Sequence, residues 1–415
     1  MKITLTNGEL INTEGQRVPF KTLCVDEGLI KSLDEDLEPD TQTIDCQGKL
    51  IVPTLTDLSM KVSSIKGIGQ ELHAAASGGV GRVCLMPNTS PINDAPAISK
   101  LIEQQAELAN SAELIMVGAM TTQLEGKLLS EYAELRDAGC KALSNGFCAV
   151  DSLAITKRCF DYAHTFDMTI FMHPMVRSLY EGSMHSGTTS TMLGLKGIPE
   201  IAETIAIAQL CLLAEASGVR LHLSNLSCEH SVELVREAKK KGARISADVA
   251  IANLFYTDQD VQGYDSNFHT IPPLRSEHDR KALIQGVLDG TIDAICSGHE
   301  PRSSSAKNAP FAESATGISN IEHLFHYAIA LEDAGMPLET FIAAMNTRSS
   351  DVLGLEDRQI QVGESANFTI VNLDGESVNA GTIRSAGHNS PLLGQKTNAK
   401  VEHTFIDGVL VYSAN

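Results

Sequence analysis

The middle of the chain alternates short apolar runs with amphipathic stretches, and it does so about eight times. The runs are "TDLSMKVSS", "RVCLMPN", "AELIMVGAM", "CKALSNG", "MTIFMHP", "RLHLSNLS", "RISADVA" and "IDAICSGHE". Between them stand helix-like segments such as "APAISKLIEQQAELAN", "LLSEYAELRDAG", "IPEIAETIAIAQLCLLAEASG" and "EHSVELVREAKKKG". The last two stop at a glycine, as a helix C-terminus does, and lysines 239–241 suit the negative end of the dipole. This count predicts an α/β fold, a TIM-type (β/α)8 barrel. A doubly wound parallel sheet is the competing layout, but it would carry a glycine fingerprint after an early strand. "GIGQEL" and "SGGVGR" match neither phosphate-binding pattern.

Both ends have another texture. "KITLTNGEL", "KTLCVDEGLIKSL" and "TQTIDCQGKLIVP" are short β runs, punctuated at Asn7-Gly8 and Gly48. "ANFTIVNLD" and "KVEHTFIDGVLVYS" repeat the pattern after Val362, the second around Asp407-Gly408. The expected organisation is a small β-sandwich domain built from both termini, residues 1–52 plus 361–415, around a barrel at 53–360.

Net charge is −20, which argues against nucleic acid or an anionic membrane as partner. Nine cysteines are scattered, Cys140 and Cys148 being among the nearer neighbours, and no CxxC occurs. They read as buried thiols of a reducing compartment. "MKITLTNGEL" has no continuous apolar stretch of the signal-peptide kind, so a cytoplasmic location is expected.

On the barrel reading, chemistry belongs at the C-terminal ends of the strands. Those ends read Ser59 and Lys61, then Asn88, Asn145, His173, Asn225 and the Gly298-His299-Glu300 turn. Only His173 is a good metal ligand. A dinuclear hydrolase needs about four imidazoles plus carboxylates.

The ordered segments "CLMPNTSPINDAPA", "GLKGIPEIAETIAIAQLCLLAEASGVRLHLSNLSCEHSVELVREAKKKG", "YDSNFHTIPPLRSEHDRKALIQGVLDGTIDAICSGHEPR" and "PFAESATGISNIE" resemble the amidohydrolase superfamily. Specifically, they resemble the long bacterial form of dihydroorotase. The resemblance runs end to end and implies the metallo-dependent hydrolase barrel.

Carried over position by position, the family's chemistry is dismantled. Its paired metal histidines fall on Ser59 and Lys61, behind a matching Asp57. Its bridging aspartate falls on Asn145, a further histidine on Asn225 and its catalytic aspartate on Gly298; only His173 matches. Of the substrate contacts, an arginine falls on Ser63, a loop asparagine on Ile271 and a histidine on Arg302, while Asn88 agrees. Lysine offers no lone pair at neutral pH. An ammonium at the old metal position, about 4 Å from a dication, would repel it by about 8 kcal/mol at an effective dielectric near 20.

The resemblance is closest to the non-catalytic homologues that some bacteria make beside aspartate carbamoyltransferase. It implies no catalytic residues, no metal cofactor, homo-oligomerisation, and the catalytic chains of aspartate carbamoyltransferase as partner in pyrimidine biosynthesis. The alternative is a divergent cyclic amidohydrolase of dihydroorotase, hydantoinase or allantoinase type, which would need zinc. A third reading keeps the old pocket as an anion site using Asn88, Arg302 and Lys61. Lys61 is expected to replace the metal as a cation, held by Asn145, Asn225 or nearby carbonyls. Among the remaining groups, His299 is read as structural, Glu300 as a solvated loop acid with a rescued carboxylate as the alternative, and His323 with His326 as a surface pair.

Overall fold

The computed structural model describes residues 2–35 and 41–414. Eight parallel strands, β1 Leu55–Met60, β2 Val80–Leu85, β3 Glu113–Ala119, β4 Ala142–Ser144, β5 Thr169–Met172, β6 Leu221–Leu223, β7 Ile245–Ala250 and β8 Ala294–Cys296, pair in chain order. Each apolar run of the sequence supplies one of them, and the barrel is the one expected. Alternate strand residues point to opposite faces. One set, including Leu58, Cys84, Val117, Phe171 and Cys296, clusters together. Another, including Val83, Met116, Leu143, Ile170 and Val249, packs with the surrounding helices.

The β8–β1 seam is joined differently. A single bridge pairs Met60 with His299, and the Lys61 N–H donates to the His299 carbonyl at 2.9 Å. The Asp57 carboxylate completes the join, accepting from the Ser297 N–H at 2.7 Å and its hydroxyl at 2.5 Å. Burial pushes the Asp57 carboxyl above its ordinary pKa, while those hydrogen bonds oppose the shift.

The termini form a second, eight-stranded sheet from Ile3–Ile11, Arg17–Asp26, Leu29–Leu33, Gln42–Asp45, Lys49–Pro53, Phe368–Asn372, Lys400–Ile406 and Val409–Ser413. Asp407 and Gly408, both at positive φ, make the expected hairpin turn. Asn7-Gly8 does not turn: the strand runs straight through it. Phe20 explains the glycine, because a Cβ on Gly8 would lie 2.8 Å from its ring. Residues 374–398 leave the sheet and cross the barrel, where the N–H groups of Arg384 and Ser385 donate to Glu322 and that of Ala386 to Glu71.

The helix Ile201–Ser217 leaves Ile201 49% and Leu212 66% exposed, on an outer side that also carries the exposed Gln209 and Glu215. No helix among the described residues is long and apolar enough to cross a membrane.

Candidate functional site

Lys61 is the first residue beyond β1, and it is buried at the barrel mouth. Its ammonium lies 3.2 Å from Glu300 Oε2 and 3.2 Å from the centroid of the Phe147 ring. Glu300 uses its other oxygen to hold the Arg302 guanidinium, whose Nε donates to the Thr316 carbonyl at 2.9 Å. One carboxylate thus serves two cations. Desolvation pulls the Lys61 pKa below the ordinary lysine value, and the Glu300 charge resists it.

This geometry corrects three expectations. Lys61 is satisfied by Glu300 and an aromatic face, not by Asn145 or Asn225. Glu300 is a buried counter-ion rather than a solvated loop acid. Arg302 and Lys61 already share that carboxylate, so they do not stand as free cations awaiting an anion. The compensation by Glu300 also weakens the simple repulsion argument against a metal.

The remaining site positions are turned elsewhere. Asn145 follows β4, accepts from the Thr121 hydroxyl at 2.7 Å and donates to the carbonyls of Leu124 and Cys148. Asn225 sits at φ +60°, its N–H held by Asp248 Oδ1 at 2.6 Å. Gly298 has φ +59°, and a Cβ there would lie 3.0 Å from that of Ala250. Ser59 is buried within β1. Ser63 is exposed and Ile271 half-buried, and among the described residues neither is hydrogen-bonded to the Lys61 cluster. Asn88 faces Gly146 with its Oδ1 buried and unpartnered.

His173, one residue beyond β5, packs edge-on against Phe147 at 4.4 Å. Its Nδ1 meets the Ser224 carbonyl at 3.2 Å, so that nitrogen carries the proton, and Nε2 is a buried lone pair without a partner. It is the one donor left of the family's metal set. No group of three or more His, Cys, Asp or Glu among the described residues could hold a metal. The donors present do not fit a dinuclear zinc centre.

Burial lowers the His173 pKa to about 3, with nearby Lys61 adding to the effect. A free histidine titrates near 6.5. The unfolded chain therefore takes up a proton that the folded chain refuses. The stability held above the unfolded value falls by about 1.4 kcal/mol per pH unit as the pH drops from about 6.5 toward 3. His173→Asn should make urea-derived stability less steep by about that amount between pH 6.5 and 4.5. Parallel curves for variant and wild type would show that the ring is protonated in the fold.

His323 and His326 are not a surface pair. His326 is buried and accepts from the Asn398 N–H at 3.0 Å; His323 is partly covered and held to a pKa of about 4 by burial. His299 is structural: Nε2 pairs with the buried Glu71 at 2.9 Å, and Nδ1 accepts from the Asn320 N–H.

Two buried pairs are not foreseen from the sequence. His222 Nε2 meets Asp248 Oδ2 at 2.8 Å, both fully buried. Glu203 and Arg275 meet at 3.5 Å near the mouth. Only a charged residue within an apolar run hints at either.

A family model described as "Dihydro-orotase-like" matches residues 48–231. A "Dihydroorotase-like protein" of Pseudomonas aeruginosa is 38% identical over 379 residues, covering 89% of each chain. A "Dihydroorotase" of Thermoanaerobacter sp. is 34% identical over 422 residues, covering 99% of this chain and 97% of the other. Among solved structures, an L-hydantoinase (dihydropyrimidinase) from Arthrobacter aurescens superposes with a TM-score of 0.86 at 20% identity, covering 99% of this chain and 96% of that one; it speaks for the fold alone. With near-full-length relatives above 30% identity and the same barrel, the chain belongs to the dihydroorotase-like family of amidohydrolases.

Proposed function

We propose that this chain is a dihydroorotase homologue without hydrolytic activity that serves pyrimidine biosynthesis as an assembly partner of the catalytic chains of aspartate carbamoyltransferase. The silent half rests on one observation: Lys61, locked to Glu300, fills the mouth where the family's paired metal histidines would stand. Gly298 leaves no carboxylate at the catalytic position. The partner half rests on the resemblance to the non-catalytic subgroup.

Untagged protein, purified free of host enzyme, should contain far less than one zinc per chain and leave dihydroorotate unhydrolysed. Ser59→His with Lys61→His should remain at background, because groups that act as a unit do not return singly. Asp at 298 would also be strained, at positive φ and against Ala250. Mixed with catalytic chains of aspartate carbamoyltransferase, the protein should co-elute in one large particle; separate elution at physiological salt refutes the partner half. The free Nε2 of His173 is the one feature favouring a divergent cyclic amidohydrolase. Stoichiometric zinc, and turnover abolished by His173→Ala, would establish that reading instead.

A further inference from the structure

The segment 374–398 that crosses the barrel is a loop closed on itself. At its neck the N–H groups of Thr397 and Val378 donate to the carbonyls of Glu376 and Gln395, and the Gly394 N–H returns a bond to the Val378 carbonyl. At its tip three backbone N–H groups rest on side-chain carboxylates, those of Arg384 and Ser385 on Glu322 and that of Ala386 on Glu71. Asn389 ties the loop to the mouth. Its amide donates to the carbonyls of Glu300 and Gly317 at 3.0 Å each, and its Oδ1 accepts from the Arg302 N–H at 2.8 Å. A Cβ on Gly387 would lie 2.5 Å from Cα of Pro301, so the loop backs the turn that carries Glu300 without a gap.

The neck of this loop hangs on an imidazole. The Asn398 N–H donates to Nδ1 of the buried His326 at 3.0 Å. That nitrogen therefore offers a lone pair, and Nε2 carries the single proton of the neutral ring. A second proton would have to sit on Nδ1, facing the N–H it now accepts from. The ring packs against Phe255, Tyr327 and, one turn earlier on the chain, His323. Among the described residues no carboxylate pairs with it, and burial pulls its pKa below the ordinary histidine value.

We infer that residues 376–398 form a latch that opens when His326 takes a proton, and that its opening unpins the turn carrying Glu300 from behind. The closed loop keeps Nδ1 occupied, whereas the open loop leaves it free to titrate near 6.5. Acid therefore favours the open form, by about tenfold between pH 7.5 and 5.5. The two acids at the tip do not drive this step. Burial pushes the Glu322 carboxyl up, so the closed loop takes that proton more readily and opposes opening at still lower pH. Against the pull of burial, the hydrogen bond to His299 holds Glu71 below its ordinary value, so it stays charged across this window.

Hydrogen exchange of the full chain from pH 7.5 to 5.5, corrected for the intrinsic rate at each pH, tests both halves. The amides of Val378, Arg384–Ala386, Gly394 and Asn398 should exchange ahead of the barrel strands, as a unit that opens locally does. Their protection should fall about tenfold across the range. The Arg302 and Ser319 amides, which donate to Asn389, should follow the same slope. His326→Gln keeps an acceptor for the Asn398 N–H but cannot titrate. It should leave protection at pH 7.5 within about twofold of wild type and abolish the slope at all these positions. Flat protection in the wild type overturns the inference, and so does a loop that exchanges only together with the barrel strands. A slope that survives in His326→Gln places the proton elsewhere, His388 on the loop included, and also overturns it. A slope confined to the loop and absent at Arg302 and Ser319 refutes the link to the mouth.

Discussion

Glu300→Leu should lower the unfolding free energy by about 3–5 kcal/mol, the usual cost of stranding a buried charge. Lys61, 6% exposed, would lose its counter-ion and keep only the Phe147 face for its ammonium. Arg302 would lose the same carboxylate but is half-open to water and keeps the Thr316 carbonyl. Lys61→Met should cost less, because Arg302 still neutralises Glu300. Lys61→Met combined with Glu300→Leu should recover much of the single-variant loss, since no cation is then left buried alone. Urea unfolding of the four proteins measures this directly, and a chelator should leave every midpoint unchanged. A loss below about 1 kcal/mol for Glu300→Leu would mean that Lys61 does not depend on this carboxylate. The reading of the mouth as a closed ionic lock would then fail.

The asymmetry between what the sequence discloses and what it hides follows from contact range. The barrel was legible because β strands and helices write their periods locally: "RISADVA" is a strand wherever it lies. The positions at the mouth were legible too, because strand ends converge by topology. What each side chain does there was not. Lys61 and Glu300 are 239 residues apart, and nothing local says that a loop acid after "SGH" turns inward to meet a lysine at the opposite side of the seam. His326 failed likewise. Its spacing from His323 suggests a shared outer face, but the crossing segment 374–398 covers it through the Asn398 N–H. Asn7-Gly8 is a turn signal overridden by packing: Phe20 needs a residue without a side chain opposite it, inside a strand.

The same long-range logic makes Arg275→Met the second large effect, again about 3–5 kcal/mol. Arg275 is 2% exposed and Glu203 0%, so neither charge can turn to water when its partner goes. Glu203 anchors a dense set: it accepts from the Ser227 N–H at 2.9 Å and the Ser231 hydroxyl at 2.6 Å. Arg275 donates to the Ser227 hydroxyl at 2.6 Å and reaches the Ile198 carbonyl at 3.4 Å and His185 Nδ1 at 3.3 Å. It therefore ties the helix Ile201–Ser217 to the small strand pair Met184–His185 and Gly197–Ile198. Two readouts separate the ionic effect from mere loss of bulk. Adding Glu203→Gln to Arg275→Met should restore most of the stability, because a neutral amide still accepts from the serines without a stranded charge. Hydrogen exchange in residues 184–198 should accelerate in Arg275→Met and stay fast in the double variant, whose loop still lacks the guanidinium. If the double variant is instead less stable than Arg275→Met, the carboxylate is held by its serine and backbone donors, and Arg275 serves only to pin the loop.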